Sequence, residues 1–205
     1  RMLAADGRTA SEVNLSPEQV AITSGSNQML FLVCDTLLDP GDVIICGAPS
    51  YFVLLGTLAN LGVSAVGVLT DELGLVPEAV ADQLQRMKRS GDAGRVKVIY
   101  VTTDFDNPGG VTVPGSRREA LVEIVRRWNR DNDRIVIIED TAYRELRYRG
   151  QDIASIRSLD PEGQTVIVAG SFSKSFSPGI RVGWGILPPW LVKPVLSQKG
   201  NLDFG

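Results

Sequence analysis

Thr165-Val166-Ile167-Val168-Ala169 runs directly into Gly170-Ser171-Phe172-Ser173-Lys174-Ser175-Phe176-Ser177-Pro178-Gly179-Ile180-Arg181. The first five residues are mostly β-branched and apolar, so they are expected to form a strand covered on both faces. A turn of glycine and small hydroxyls follows, with one lysine inside it and an arginine close behind. Open α/β sheets bind their ligands at the carboxyl ends of their strands. A lysine desolvated there beside a second cation has a lowered pKa and is a competent Schiff-base nucleophile. Ser171, Ser173 and Arg181 are candidates for phosphate contacts, the arginine as a two-pronged donor. The plainer alternative is a surface Lys and Arg flanking a Ser/Gly loop.

Working outward, six more short apolar runs read as strands: Val20–Thr23, Val43–Cys46, Ser64–Val68, Val96–Val101, Ile135–Glu139 and Val182–Ile186. Helical spacing appears over Gln28–Leu38, Pro77–Arg89 and Arg117–Arg130, and more weakly over Leu191–Gln198, where Pro194 interrupts it. Strands alternating with helices predict a three-layer α/β/α domain around a mostly parallel, seven-stranded sheet. The polar turns Ser90–Gly94 and Asp160–Gly163 read as connections within one domain spanning residues 1–205.

Composition narrows the function. The chain has 205 residues, 43% hydrophobic and 22% charged, with a net charge of −3. That is ordinary for a globular domain, and without a basic stripe a nucleic-acid partner is not expected. No apolar run approaches the ~20 residues of a membrane helix. Arg1–Gly7 shows no signal-peptide core, so no membrane partner and a cytoplasmic location are expected. The absence of an initial Met marks an expected fragment. Cys34 and Cys46 sit in apolar stretches and read as buried reduced thiols. There is no histidine, which removes histidine triads and histidine-containing metal sites, and no metal site is expected. Acid–base chemistry falls to Lys, Asp, Glu, Tyr or Cys.

Four of the other six strands end in a motif with two readings. Gly25-Ser26-Asn27-Gln28 opens a helix, where free N–H groups favour an anion, or is simply a helix cap. Tyr51, in Pro49-Ser50-Tyr51, could stack on a planar ring or only pack. Asn107, in Asn107-Pro108-Gly109-Gly110, could bond a ring substituent or only make a turn. Asp140, after four apolar β-formers, needs a cationic partner if buried, and a protonated pyridine nitrogen would serve, or it only caps the next helix. Tyr143, three residues on, is placed to reach the neighbouring oxygen of such a ring.

These segments, in this order, resemble the fold-type I enzymes that use pyridoxal 5′-phosphate (PLP), specifically the class I/II aminotransferases. The resemblance runs from about Leu15 to Lys199. It implies that Lys174 carries the cofactor as a Schiff base and shuttles a proton. It implies that Asp140 pairs with the pyridinium nitrogen, that Tyr143 and Asn107 bond the phenolic oxygen, and that Tyr51 stacks on the ring. Gly25, Ser26, Asn27, Ser171, Ser173 and Arg181 would hold the phosphate, with Gln28 a neighbour. The implied activity is transfer of an amino group between an amino acid and a 2-oxo acid by a homodimer. Asn27 stands where many members carry glutamine. Family members are about twice as long, so most of an N-terminal segment and a C-terminal small domain are expected to be absent. The small domain normally supplies a carboxylate-binding arginine, so these residues alone are expected not to turn over at a normal rate. Two alternatives use the same core: the PLP-sensing domain of a transcription regulator, and a PLP-dependent lyase or decarboxylase.

Overall fold

The computed structural model describes residues 15–203; Arg1–Gly7, read above for a leader, lies outside them. Among the described residues are eight strands: β1 (Val20–Thr23), β2 (Val43–Ala48), β3 (Ser64–Asp71), β4 (Gly74–Leu75), β5 (Val96–Thr102), β6 (Val136–Asp140), β7 (Val166–Ser171) and β8 (Gly183–Ile186). Five helices join them: α1 (Ser26–Leu37), α2 (Phe52–Asn60), α3 (Pro77–Ser90), α4 (Gly115–Asp131) and α5 (Pro189–Asp203). One sheet takes the order β1-β8-β7-β6-β5-β2-β3-β4. The pairs β2–β3, β2–β5, β5–β6 and β6–β7 are parallel, whereas β8 runs antiparallel between β1 and β7 and β4 antiparallel to β3.

Alternation along the strands builds two cores. Ile44, Cys46, Val98, Tyr100, Ile138 and Ile167 face Met29, Leu32 and Val33 of α1, Leu54 and Leu58 of α2, and Leu191 and Val195 of α5. Val43, Ile45, Ile99, Val101, Ile137 and Val168 face Val80 and Leu84 of α3 and Leu121, Val125 and Trp128 of α4. Each such buried aliphatic side chain contributes on the order of 1.5–3 kcal/mol. Both faces are therefore covered, as the near-continuous apolar strands require. Helix α3 shows how local signals set the ends: Pro77 opens it, Lys88 and Arg89 fill its last turn, and Gly91 closes it at φ 84°.

The structure corrects the sequence reading in three places. The sheet has eight strands, not seven, because β4 is two residues paired to Thr70 and Asp71, too short for any periodicity. Helix α2 went unread because Phe52-Val53-Leu54-Leu55-Gly56 is nearly all apolar and shows no polar face. Pro194 lies inside a continuous α5 rather than interrupting it. Several parallel strands also extend past their expected ends, so that Asp140 and Ser171 are the last residues of β6 and β7.

Candidate functional site

Register gathers the site along one sheet edge. Thr102 stands beside Asp140, Asp140 beside Ala169, Ser171 beside Gly183, and Gly183 beside Thr23. The strand ends and the turns leaving them enclose a pocket of about 120 Å³. All eleven residues singled out from the sequence line it: Gly25, Ser26, Asn27, Tyr51, Asn107, Asp140, Tyr143, Ser171, Ser173, Lys174 and Arg181.

One end gathers donors that suit an anion. Gly25 caps α1 with φ 84° and ψ 162°, a conformation essentially confined to glycine. Gly25, Ser26 and Asn27 line the pocket, so the N-terminus of α1 borders it, where the helix dipole favours negative charge. A Cβ on Gly25 would stand 2.9 Å from Arg181 Nη2. A Cβ on Gly183 would stand 2.3 Å from the Gly25 carbonyl carbon and 2.4 Å from Ser26 N. Both glycines thus let α1, β8 and Arg181 close together. Arg181 takes the left-handed conformation (φ 49°, ψ 45°), and its Nη2 donates to the Ser24 carbonyl at 3.4 Å. Ser171 Oγ accepts from the Ser173 N–H at 3.1 Å, tightening the turn before Lys174. Gln28 does not join them: its side chain accepts from Ser24 N–H at 2.6 Å and donates to Asp203 at 2.9 Å.

The other end suits a flat ring. Asp140 is buried at 5% exposure and accepts from Tyr100 Oη at 2.8 Å and from Ala142 N–H at 3.0 Å. Burial pushes its carboxyl above the ordinary range; those two donors pull it back, while Asp106 and Glu139 add to the rise. Among the described residues no lysine or arginine pairs with it, so its charge calls for a cationic partner from outside the chain. Asn107 Nδ2 donates to Tyr143 Oη at 3.3 Å. Tyr51 Oη donates to Asn27 Oδ1 at 3.1 Å, and burial raises the Tyr51 phenol. Lys174 Nζ stands 5.8 Å from the centre of the Tyr143 ring. Desolvation of Lys174 was expected and is not found: its side chain is exposed, because the turn after β7 carries it to the pocket's solvent side. Tyr100 and Thr102 also line the pocket and were missed in the sequence. Two residues apart at the end of one strand, they share a face, but that alternation does not tell which face meets the pocket.

Beneath the ring end lies a buried charge network. Arg118 and Asp104 are fully enclosed and paired at 3.1 Å, with Glu139 3.8 Å from the same guanidinium. Arg147 adds a second bond to Asp104 at 2.7 Å and stacks over Phe105. Arg118 further donates to the carbonyls of Thr103, Val113 and Ala154, tying the Asn107 loop to the segment after Tyr143. Among the described residues no cluster of His, Cys, Asp or Glu could hold a metal ion.

Fold and pocket together define an α/β core with a lysine, a buried carboxylate and a helix N-terminus lining one pocket at the strand ends. The family "Aminotransferase class I and II" matches residues 3–202, and the chain belongs to it. That family uses PLP. Aromatic-amino-acid aminotransferase 1 of Thermococcus litoralis is 32% identical over 196 residues, covering 96% of this chain and 45% of that protein. An archaeal alanine:glyoxylate aminotransferase of solved structure is 40% identical with a TM-score of 0.90, covering 98% of this chain and 48% of the other. The HTH-type transcriptional regulator YdfD of Bacillus subtilis is 33% identical over 193 residues, covering 94% of this chain and 37% of the regulator. The chain thus spans about half the length of the relatives it matches, or less.

Proposed function

We propose that the chain is the large, PLP-binding domain of an aminotransferase that moves an amino group between an amino acid and a 2-oxo acid. The observation that carries this is one pocket holding a lysine, a buried carboxylate with no lysine or arginine beside it among the described residues, and a glycine-shaped anion cradle. Family membership and the identities above support it.

The residues fit the cofactor. Gly25, Ser26, Asn27, Ser171, Ser173 and Arg181 would hold the phosphate. Tyr51 would lie against the ring, and Tyr143 with Asn107 would bond its phenolic oxygen. When bound, PLP supplies an electron sink for the substrate's Cα. Asp140 would face the ring nitrogen and, as a carboxylate, would favour a proton there. Lys174 Nζ would be the attachment point for the cofactor and the base positioned to carry the Cα proton. Its exposure leaves it accessible to an incoming amino acid. The substrate's carboxylate contact is assigned to the half of the relatives that this chain does not match, and a homodimer to the full-length protein. A reducing, cytoplasmic compartment agrees with Cys34 and Cys46 being buried and unpaired.

A second reading, a PLP-sensing regulator domain, is favoured by the likeness to YdfD. The test is the full-length protein loaded with PLP and mixed with a panel of amino acids, each assayed for release of its 2-oxo acid. Stoichiometric release in a single turnover is expected of the enzyme. PLP bound without release from any donor would reject the aminotransferase reading and leave the sensor.

A further inference from the structure

Tyr100 stands on β5 behind the ring end of the pocket, with only 1% of its surface exposed. Its hydroxyl carries one hydrogen and has two acceptors in reach: Asp140 Oδ2 at 2.8 Å and Thr102 Oγ1 at 3.3 Å. Bonds to charged acceptors are shorter and roughly twice as strong as neutral ones, so the hydrogen goes to Asp140. The other carboxylate oxygen, Oδ1, is taken by the Ala142 N–H. One fixed donor on each oxygen sets the plane of the carboxylate and leaves lone pairs free for the pocket. Two acids act in the opposite sense: Asp106, from the loop after β5, and Glu139, the neighbour on β6, both disfavour a second negative charge. Tyr51, Tyr143, Lys174 and Arg181 are the other ionisable groups lining the pocket.

We propose that Tyr100 is a positioning residue of the reaction: by donating to Asp140 Oδ2 it keeps that carboxylate ionised and aimed at the cofactor's ring nitrogen. This rests on the PLP reading above. The step involves no bond to carbon, only the place of one proton shared between ring nitrogen and carboxylate. With the phenol present the carboxylate is satisfied and the proton stays on nitrogen. Without it the carboxylate's proton affinity rises and the proton moves toward oxygen.

The test uses Tyr100→Phe, which deletes one oxygen and keeps the ring, in two measurements. First, in the cofactor-free full chain, Asp140 is titrated by carboxyl-carbon NMR, its signal assigned with Asp140→Asn. Loss of one charge-assisted bond should move its midpoint up by about one pH unit. Second, with ring-nitrogen-labelled PLP bound, the nitrogen signal should move toward the neutral form in Tyr100→Phe. In an Asp140→Asn background the same substitution should do nothing. Should Tyr100→Phe fail to fold, site-specific 3-fluorotyrosine at position 100, a more acidic donor, should move the Asp140 midpoint down. An unchanged midpoint in either folded variant overturns the proposal. A shifted midpoint in a chain whose Lys174 takes up no PLP overturns the cofactor reading, and the role at the ring with it, while the Tyr100–Asp140 bond stands.

Discussion

Gly25→Ala should injure the cofactor site by two separable routes. The backbone there sits at φ 84° and ψ 162°, where only glycine is at ease, and forcing alanine into it costs ~1–3 kcal/mol. The new methyl would also stand 2.9 Å from Arg181 Nη2 and 3.4 Å from its Cζ. The far end of an arginine can swing away, so this contact adds little to instability, but it takes the guanidinium off the anion cradle. Loss of one charged hydrogen bond, ~1.5–3 kcal/mol, weakens PLP binding roughly tenfold to a hundredfold. Gly41→Ala is the control: its φ is 94°, yet nothing lies within 4 Å of the added carbon. Urea unfolding without cofactor should show both variants destabilised, and PLP titration should show only Gly25→Ala weakened. If Gly25→Ala bound PLP as the wild type does, the assignment of the cradle to phosphate would be refuted.

Arg118→Met should cost about 3–5 kcal/mol in urea unfolding, because it takes the paired guanidinium from the enclosed Glu139 and leaves the enclosed Asp104 with Arg147 alone; a loss under 1 kcal/mol, a surface pair's worth, would deny the network its role. Cys34 should resist thiol reagents at pH 8 in the folded chain and react once unfolded, since burial, with Asp35 adding to it, pushes its thiol from 9.0 up to about 12. The folded state holds that proton more tightly, so its stabilisation is complete below pH 9 and fades as pH rises toward 12; Cys34→Ala should flatten this alkaline decline, and an identical decline would place its cause elsewhere.

Much of this was legible in the chain because strand ends announce themselves. Apolar β-branched runs breaking into Gly, Ser, Asn or Asp marked β1, β5, β6 and β7, and sheet topology obliges such ends to share an edge. All eleven candidate residues therefore met in one pocket, although no pairwise distance could be read in advance. What escaped lacked a local signal. Strand β4 exists only through its pairing with β3, and α2 is too uniformly apolar to show a face. Tyr100 looked like one more apolar strand residue, since nothing in Val98-Ile99-Tyr100-Val101 tells that its hydroxyl meets Asp140, forty positions on. The Asp104–Arg118–Glu139 network is likewise a product of tertiary structure, in residue types that alone read as a solvated surface. The exposure of Lys174 was misjudged for a related reason: sequence gives its apolar neighbours, not which way the turn after β7 faces.

The central claim, that Lys174 is the residue to which PLP attaches, is tested most directly by borohydride reduction of the PLP-treated chain followed by peptide mapping. A pyridoxyl group is expected on Lys174 alone, and Lys174→Ala should carry no label while remaining folded. A label on any other lysine, or none on a chain shown to be folded, would contradict the claim.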